Sequence, residues 1–124
     1  MKKQFNPLRK LIDLTDGDED FIREMLGIFI KNTPEAIANI NSALMEKEYS
    51  SLSAHAHKLK SSIQILGDDD LYELIRKLEN TANNAADSKD LKVLIDRLTK
   101  ELNLLITWMK ERLADPKNFK KQFL

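Results

Sequence analysis

The sequence predicts an all-α fold, an up-down antiparallel four-helix bundle with an additional N-terminal helix. Three observations indicate this class. The 124 residues include only three glycines and three prolines, a scarcity of chain breakers that favours long helices over the frequent turns of β-proteins. Apolar residues recur at helical spacing through most of the chain between these breakers. The connections are short, and short connections place consecutive helices side by side in opposite directions.

The N-terminal half is predicted to contain a short helical lead-in over residues 7–13 and then two longer helices. The acidic run 15–20 forms a turn and a helix start, because carboxylates cap helix N-termini and complement the helix dipole there. The helix that follows extends to about Lys31 and is indicated by four apolar residues at helical spacing, Phe21, Met25, Ile28 and Phe29. Thr33-Pro34 predicts a new helix start, since threonine caps and proline suits the first helical position. The buried stripe of this next helix consists of Ile37, Ile40 and Leu44, and the helix fades over residues 46–48.

The C-terminal half is predicted to form three further helices. The first runs from Tyr49 to Leu66 and ends at Gly67, which can adopt the left-handed conformation of a helix C-terminus. Residues 68–70 are aspartates that cap the next helix, whose apolar positions are Leu71, Leu74, Ile75, Leu78 and Ala82. A turn is expected around residues 83–88. The last and longest helix stops at residues 114–116, and its apolar positions are Leu91, Leu94, Ile95, Leu98, Leu102, Leu105, Ile106 and Met109.

Composition bounds the function. The chain is long enough for one domain over residues 1–124, with a core at about 14–114 and a C-terminal tail at 115–124. Twenty basic residues balance twenty acidic ones, which disfavours a nucleic-acid binder. With no cysteine, disulfides and zinc-thiolate sites are excluded. No apolar run is long enough for a membrane span or placed as a secretory signal, so we expect a cytoplasmic protein. The Met1 start and the modest tail favour a standalone protein over an excised domain.

The helix over residues 49–66 carries the candidate chemistry. On a helical wheel with Leu52 at zero, its core stripe lies within about 40° of that direction. The stripe consists of Leu52, Ala56, Leu59, Ile63 and Leu66. His57 lies at about 140°, on the exposed side, with Lys60 at about 80°, Gln64 at about 120° and Ser61 at about 180°.

These neighbours suit an exposed nucleophile. A neutral imidazole offers a lone pair, the lysine can hold anionic oxygens near it, and the small serine leaves the ring open to a large partner. An exposed histidine near a lysine is nevertheless most often surface decoration, and the pattern alone does not decide between the two. His55 lies near the core stripe and is predicted to be structural. Because the two histidines point about 200° apart, they do not form a shared metal site.

The sequence around His57 also resembles that of a known protein family. Residues 56–67 resemble the signature of histidine-containing phosphotransfer (HPt) domains, in which a histidine is followed by lysine three residues on and glycine ten residues on. Residues 70–79 resemble the family's next helix, and the similarity extends over about residues 14–110. Ser61 departs from the family, which most often has glycine at this position.

The resemblance implies a role for each matched residue. His57 would accept a phosphoryl group, Lys60 would assist its charge, and Gly67 would permit the turn that ends the helix. Ser61 and Gln64 would be neighbours of the phosphate. The partners would be response-regulator receiver domains and a histidine kinase, possibly a hybrid one, and the Mg²⁺ ion would belong to the receiver. We expect no cofactor or metal of its own, no membrane or nucleic-acid partner, and a monomer.

Two other functions remain open on the sequence. The first is a helical docking module that kept the fold and lost phosphotransfer. The second is a small hydrolase or acid–base enzyme, which is disfavoured because no second titratable group is evident beside His57 to orient it. A kinase is not expected, since the sequence contains no glycine-rich phosphate loop.

Overall fold

The computed structural model describes residues 9–84 and 88–115, which form five helices and no strand. A short first helix precedes four long ones. Their bounds are α1 Arg9–Thr15, α2 Glu19–Met45, α3 Tyr49–Leu66, α4 Asp69–Asn83 and α5 Ser88–Leu113. The start of the predicted lead-in, the middle of the predicted turn before α5 and the tail beyond Asp115 lie outside the described residues.

The four long helices close into a bundle. Helix α2 packs against α3 and α5, and α4 packs against the same two helices, so each long helix has two long neighbours. The all-α bundle predicted from the sequence is therefore confirmed. Helix α1 packs across α2 and α3 and contributes Leu11 and Ile12 to the core. None of the helices in the described part of the chain is long and apolar enough to cross a membrane.

In α3 and α4, the buried residues are those that the spacing of apolar residues predicts. All five predicted stripe residues of α3 and all five apolar positions of α4 are buried. In α5, Leu94 is only partly buried and the other seven predicted positions are buried. These helices have a single apolar stripe each, and burying it against the neighbouring helices is the dominant stabilising term.

The predicted helix start at Thr33-Pro34 is wrong, because α2 runs through it without interruption. Thr33 is only 2% exposed and so belongs to the core, where its side chain faces the bundle rather than a free helix end. The buried positions stay in helical phase on both sides of the proline, at Ile22, Leu26, Phe29, Thr33, Ile40 and Ala43. Burial of this continuous stripe outweighs the roughly 3 kcal/mol that an internal proline costs a helix.

In the first part of α2, the buried stripe is largely formed by other residues than those from which the helix was predicted. Of the four apolar residues used in the prediction, only Phe29 is buried, Met25 is partly buried, and Phe21 and Ile28 are exposed. The core positions are instead Ile22 and Leu26. Two exposed apolar side chains are thereby left on the outer surface of α2.

The turn between α3 and α4 is tight and depends on Gly67. Its φ of 83° lies in the left-handed region, and its N–H donates to the Ile63 carbonyl at 3.1 Å to close α3. A Cβ at this position would collide with the Lys10 Cβ of α1, so only glycine lets α1 pack this closely. Asp68 then caps α4 by accepting a hydrogen bond from the Leu71 N–H at 3.1 Å. The two helices therefore leave this turn in a defined register.

Candidate functional site

His57 stands on the outer face of α3, where the helical wheel places it. Its side chain is 64% exposed, while the neighbouring residue Ala56 is fully buried in the core. The packed stripe of α3 holds the backbone of this helix rigidly against the bundle. The imidazole is therefore presented to solvent by a fixed helix rather than by a loop.

A carboxylate from the neighbouring helix holds the imidazole. Glu79 of α4 places Oε1 at 2.9 Å from His57 Nδ1 and Oε2 at 2.8 Å from Lys60 Nζ. Its side chain is only 14% exposed, so the carboxylate lies in the crease between α3 and α4. One acidic residue thus joins the two residues of α3 that the sequence singled out, and we call these three residues the His57–Glu79–Lys60 network.

The protonation of the network follows from the charge on Glu79. The Lys60 ammonium lowers the pKa of Glu79 most, desolvation in the crease opposes it, and His57 lowers it further. Glu79 is thus ionised at neutral pH, and an ionised carboxylate only accepts hydrogen bonds. The neutral ring must therefore carry its proton on Nδ1 to donate to Glu79. The lone pair then lies on Nε2, the other ring nitrogen.

The Lys60 side chain is more buried than its position on the helical wheel indicated. Its side chain is 18% exposed, and Nζ lies 5.9 Å from the centroid of the Tyr72 ring of α4. The ion pair with Glu79 and the cation–π contact keep the ammonium beside the imidazole. Lys60 consequently places a positive charge next to the exposed imidazole, and this charge is paired with the Glu79 carboxylate.

The other predicted site residues surround this network less closely. Ser61 is exposed and its hydroxyl donates to the His57 carbonyl at 3.4 Å, so it is turned toward its own helix backbone. Gln64 is exposed about one turn further along α3. Gly67 lies at the helix end and shapes the turn rather than the site. His55 is half-buried and lines the groove between α2 and α3, on the other side of the helix from Glu79.

Glu79 is the residue that sequence reasoning missed, and the expectation that no titratable group accompanies His57 is wrong. The signal was available in the spacing about the turn. His57 precedes Gly67 by ten residues, and Glu79 follows it by twelve. Two antiparallel helices joined by a tight turn bring residues at similar distances from that turn to the same level. Glu79 also follows directly after the buried Leu78, which places it at the edge of the α4 stripe.

An exposed strip along α3 consists of His57, Ser61 and Gln64. A groove between α2 and α3 adjoins this strip on the side away from Glu79. It has a volume of about 350 Å³, and its rim includes the exposed side chains of Ile28 and Ile65. Exposed apolar side chains gathered at a groove are typical of a protein-docking surface. Within the described residues, no group of three or more histidine, aspartate or glutamate side chains is arranged to hold a metal ion.

Fold and site together define a class: a small helical bundle that presents one histidine to solvent and fixes its ring from the adjacent helix. Comparison with known proteins identifies the family within this class. The Hpt domain family model matches residues 24–108, and the chain therefore belongs to the Hpt domain family.

A curated relative from Arabidopsis thaliana is similar over almost the whole chain. It is the histidine-containing phosphotransfer protein 2, which is 27% identical over an alignment that covers 98% of this chain and 75% of that protein. No solved structure matches the chain. The family and the relative support a phosphotransfer function in two-component signalling.

Proposed function

We propose that this protein is a phosphorelay intermediate whose acceptor atom is His57 Nε2. It takes a phosphoryl group from a receiver aspartate or a histidine kinase, possibly a hybrid one, and passes it to a response-regulator receiver domain in the cytoplasm. The observation that carries the proposal is the bond between His57 Nδ1 and Glu79 on an otherwise exposed ring. That bond directs the ring's lone pair outward through Nε2.

The transfer step follows from this arrangement. The Nε2 lone pair attacks the phosphorus of the donor's aspartyl phosphate, and the P–O bond to the aspartate breaks with its electrons going to that carboxylate. The ring becomes a phospho-imidazolium whose Nδ1 proton still faces Glu79. The carboxylate stabilises this new positive charge, as the buried aspartate does in serine protease triads. Any Mg²⁺ needed for the phosphoryl oxygens belongs to the partner receiver, and this chain is proposed to need no cofactor.

The residues near the ring have supporting roles in this proposal. Lys60 supplies positive charge to the incoming phosphoryl oxygens. Ser61 is small and turned toward the helix backbone, which leaves room for the partner's acidic pocket. Gln64 is exposed beside the approach path and contributes a polar contact. A docking module without chemistry does not need an imidazole held in one tautomer, so the network favours phosphotransfer over that alternative.

The exposed strip of α3 and the adjoining α2–α3 groove form the proposed receiver-docking face. The apolar rim residues Ile28 and Ile65 would bury surface against the partner, as the cores of protein interfaces do. Phosphoryl transfer on this face does not require a second copy of the chain on the rest of the surface, and we propose that the protein acts as a monomer.

The test is phosphoryl transfer from a phosphorylated receiver domain. The wild-type protein should acquire label that is labile in acid and stable in alkali, as phosphohistidine is. A His55→Gln control alters a residue that lines the docking groove but leaves His57 intact, so it should acquire the same kind of label. His57→Gln should acquire none. Label that persists in His57→Gln, or no label on the wild type from any of several receivers, would overturn the proposal. Circular dichroism of each variant checks that the helical fold is intact.

A further inference from the structure

The carboxylate of Glu79 has a consequence beyond orienting the ring. An acceptor alone would be sufficient to keep the proton on Nδ1, and an uncharged amide could provide it. Here the acceptor carries a full negative charge and also binds the nearest ammonium, Lys60, at 2.8 Å. The negative charge of Glu79 and its ion pair with Lys60 would both affect a phosphoryl group attached to the His57 ring.

We propose, on the basis of the function proposed above, that Glu79 is a positioning residue that shortens the lifetime of phosphorylated His57. It does so by making the imidazole a better leaving group and by opposing the phosphoryl charge. The phosphoprotein is then an active donor rather than a store of phosphoryl groups. Two independent physical effects point in this direction.

The first effect concerns the proton. When the phosphoryl group leaves, the P–N bond breaks and its electron pair returns to Nε2. The phosphorus forms a new bond to a receiver aspartate oxygen or to a water oxygen, and the water loses its proton. The departing ring is a neutral imidazole only if Nδ1 keeps its proton. Glu79 Oε1, at 2.9 Å, favours that protonated ring because its negative charge stabilises the positive phospho-imidazolium.

The second effect concerns charge. A phosphoryl group carries close to two negative charges at neutral pH, and the Glu79 carboxylate repels it across the ring. Lys60 would stabilise the phosphoryl oxygens most if it were unpaired, but its ammonium is shared with Glu79. The carboxylate is only 14% exposed, so water screens this repulsion less than it would at the open surface. The repulsion and the sharing of Lys60 both destabilise the negative charge on the phosphoryl oxygens, whereas the contact at Nδ1 acts on the charge of the ring.

The experiment uses Glu79→Gln, which keeps an oxygen acceptor for Nδ1 and removes only the charge. The full-length protein is phosphorylated by a receiver, separated from it, and followed for loss of acid-labile phosphate. We expect the half-life of phosphorylated Glu79→Gln to exceed that of the wild type by about three- to tenfold. Return transfer to fresh receiver should slow by a similar factor.

Glu73→Gln is the matched control. Glu73 is on the same helix, 61% exposed, and its carboxylate pairs with Arg76 at 3.0 Å rather than with the site. Its phosphoprotein should have the wild-type half-life. A second control is the decay in denaturant, where His57 and Glu79 are no longer held together. There the wild type and Glu79→Gln should lose phosphate at the same rate.

The outcomes distinguish a failure of the inference about Glu79 from a failure of the proposed function. If the wild type is labelled on His57 but Glu79→Gln decays as fast or faster in the folded state, the inference about Glu79 is wrong and the proposed function stands. If the difference persists in denaturant, the effect does not come from the folded site and the inference is again overturned. If the wild type takes no label at all, the proposed function itself fails.

Discussion

Each carboxylate oxygen of Glu79 faces one side chain of α3, since Oε1 is hydrogen-bonded to His57 and Oε2 forms an ion pair with Lys60. Such a partly buried charge is stable only because both oxygens are partnered, since an unpaired carboxylate in the crease would lose its hydration without compensation. The network therefore links the geometry of the site to the stability of the α3–α4 pair. Removing the charge should have a cost that depends on pH.

Glu79→Gln should lower the free energy of unfolding at neutral pH and progressively less in acid. Lys60, and secondarily His57, hold the pKa of Glu79 below its ordinary value of 4.5. A carboxylate with a lowered folded pKa contributes stability above the unfolded pKa and loses it as pH falls through the folded pKa. Urea unfolding at several pH values should thus show the gap between wild type and variant closing below about pH 4.5.

Glu73→Gln again provides the comparison, because its exposed ion pair with Arg76 contributes little to stability. Its gap to the wild type should be small at every pH. A Glu79→Gln gap that stays constant from neutral pH into strong acid would contradict the ion-pair explanation. It would indicate instead that the substitution damages packing.

At the scale of single residues, the sequence predicted two of the three residues of the network. His57 and Lys60 lie on one helix, so a wheel orders them about the same axis and separates His57 from His55. Glu79 lies on another helix, and its distance from His57 depends on the register that the α3–α4 turn imposes. Spacing within one helix contains no direct information on that register, although Gly67 marks where the turn lies.

At the scale of the helix, α2 shows where local signals are overridden. Thr33-Pro34 has the composition of a helix start, yet the chain continues through it because the buried stripe keeps its phase from Ile22 to Ala43. Helices α3 and α4 have no such conflict, and their predicted stripes coincide with the buried residues. Local capping signals predict boundaries well only where no long-range burial competes with them.

Pro34→Ala should stabilise the protein. Pro34 is exposed in the middle of α2 and has no N–H to donate to the Ile30 carbonyl one turn earlier. Alanine restores that donor and is the best helix former, although it also frees the unfolded chain. We expect a net gain of about 1–2 kcal/mol in the free energy of unfolding, measured by urea denaturation.

The matched control is Glu35→Ala, an adjacent exposed position on the same helix, which should change stability by less than about 0.5 kcal/mol. A loss of stability in Pro34→Ala would show that the proline supports a bend that packing of α2 requires. Phosphoryl acceptance by Pro34→Ala should equal that of the wild type, because Pro34 neither lies near the His57–Glu79–Lys60 network nor lines the α2–α3 groove.

At the scale of the molecule, the bundle holds the site without depending on a loop. Helix α3 presents His57, α4 supplies Glu79, and the tight turn at Gly67 aligns the two. Helices α2 and α5 complete the core on which both rest. The fold class was predictable because amphipathic periodicity and short connections leave few arrangements for helices of this length. The electrostatic state of the site was not, because it depends on which charges the closed bundle brings together.

The proposed function requires that His57 Nε2 accepts the phosphoryl group while Glu79 retains the proton on Nδ1. Protein labelled with [¹⁵N]histidine and phosphorylated by a receiver domain can be examined by ¹⁵N and ³¹P NMR, which identifies the modified nitrogen directly. We expect one phosphoryl group, bonded to Nε2 of His57, with Nδ1 still protonated. A phosphoryl group on Nδ1, or on His55, would contradict the proposed function.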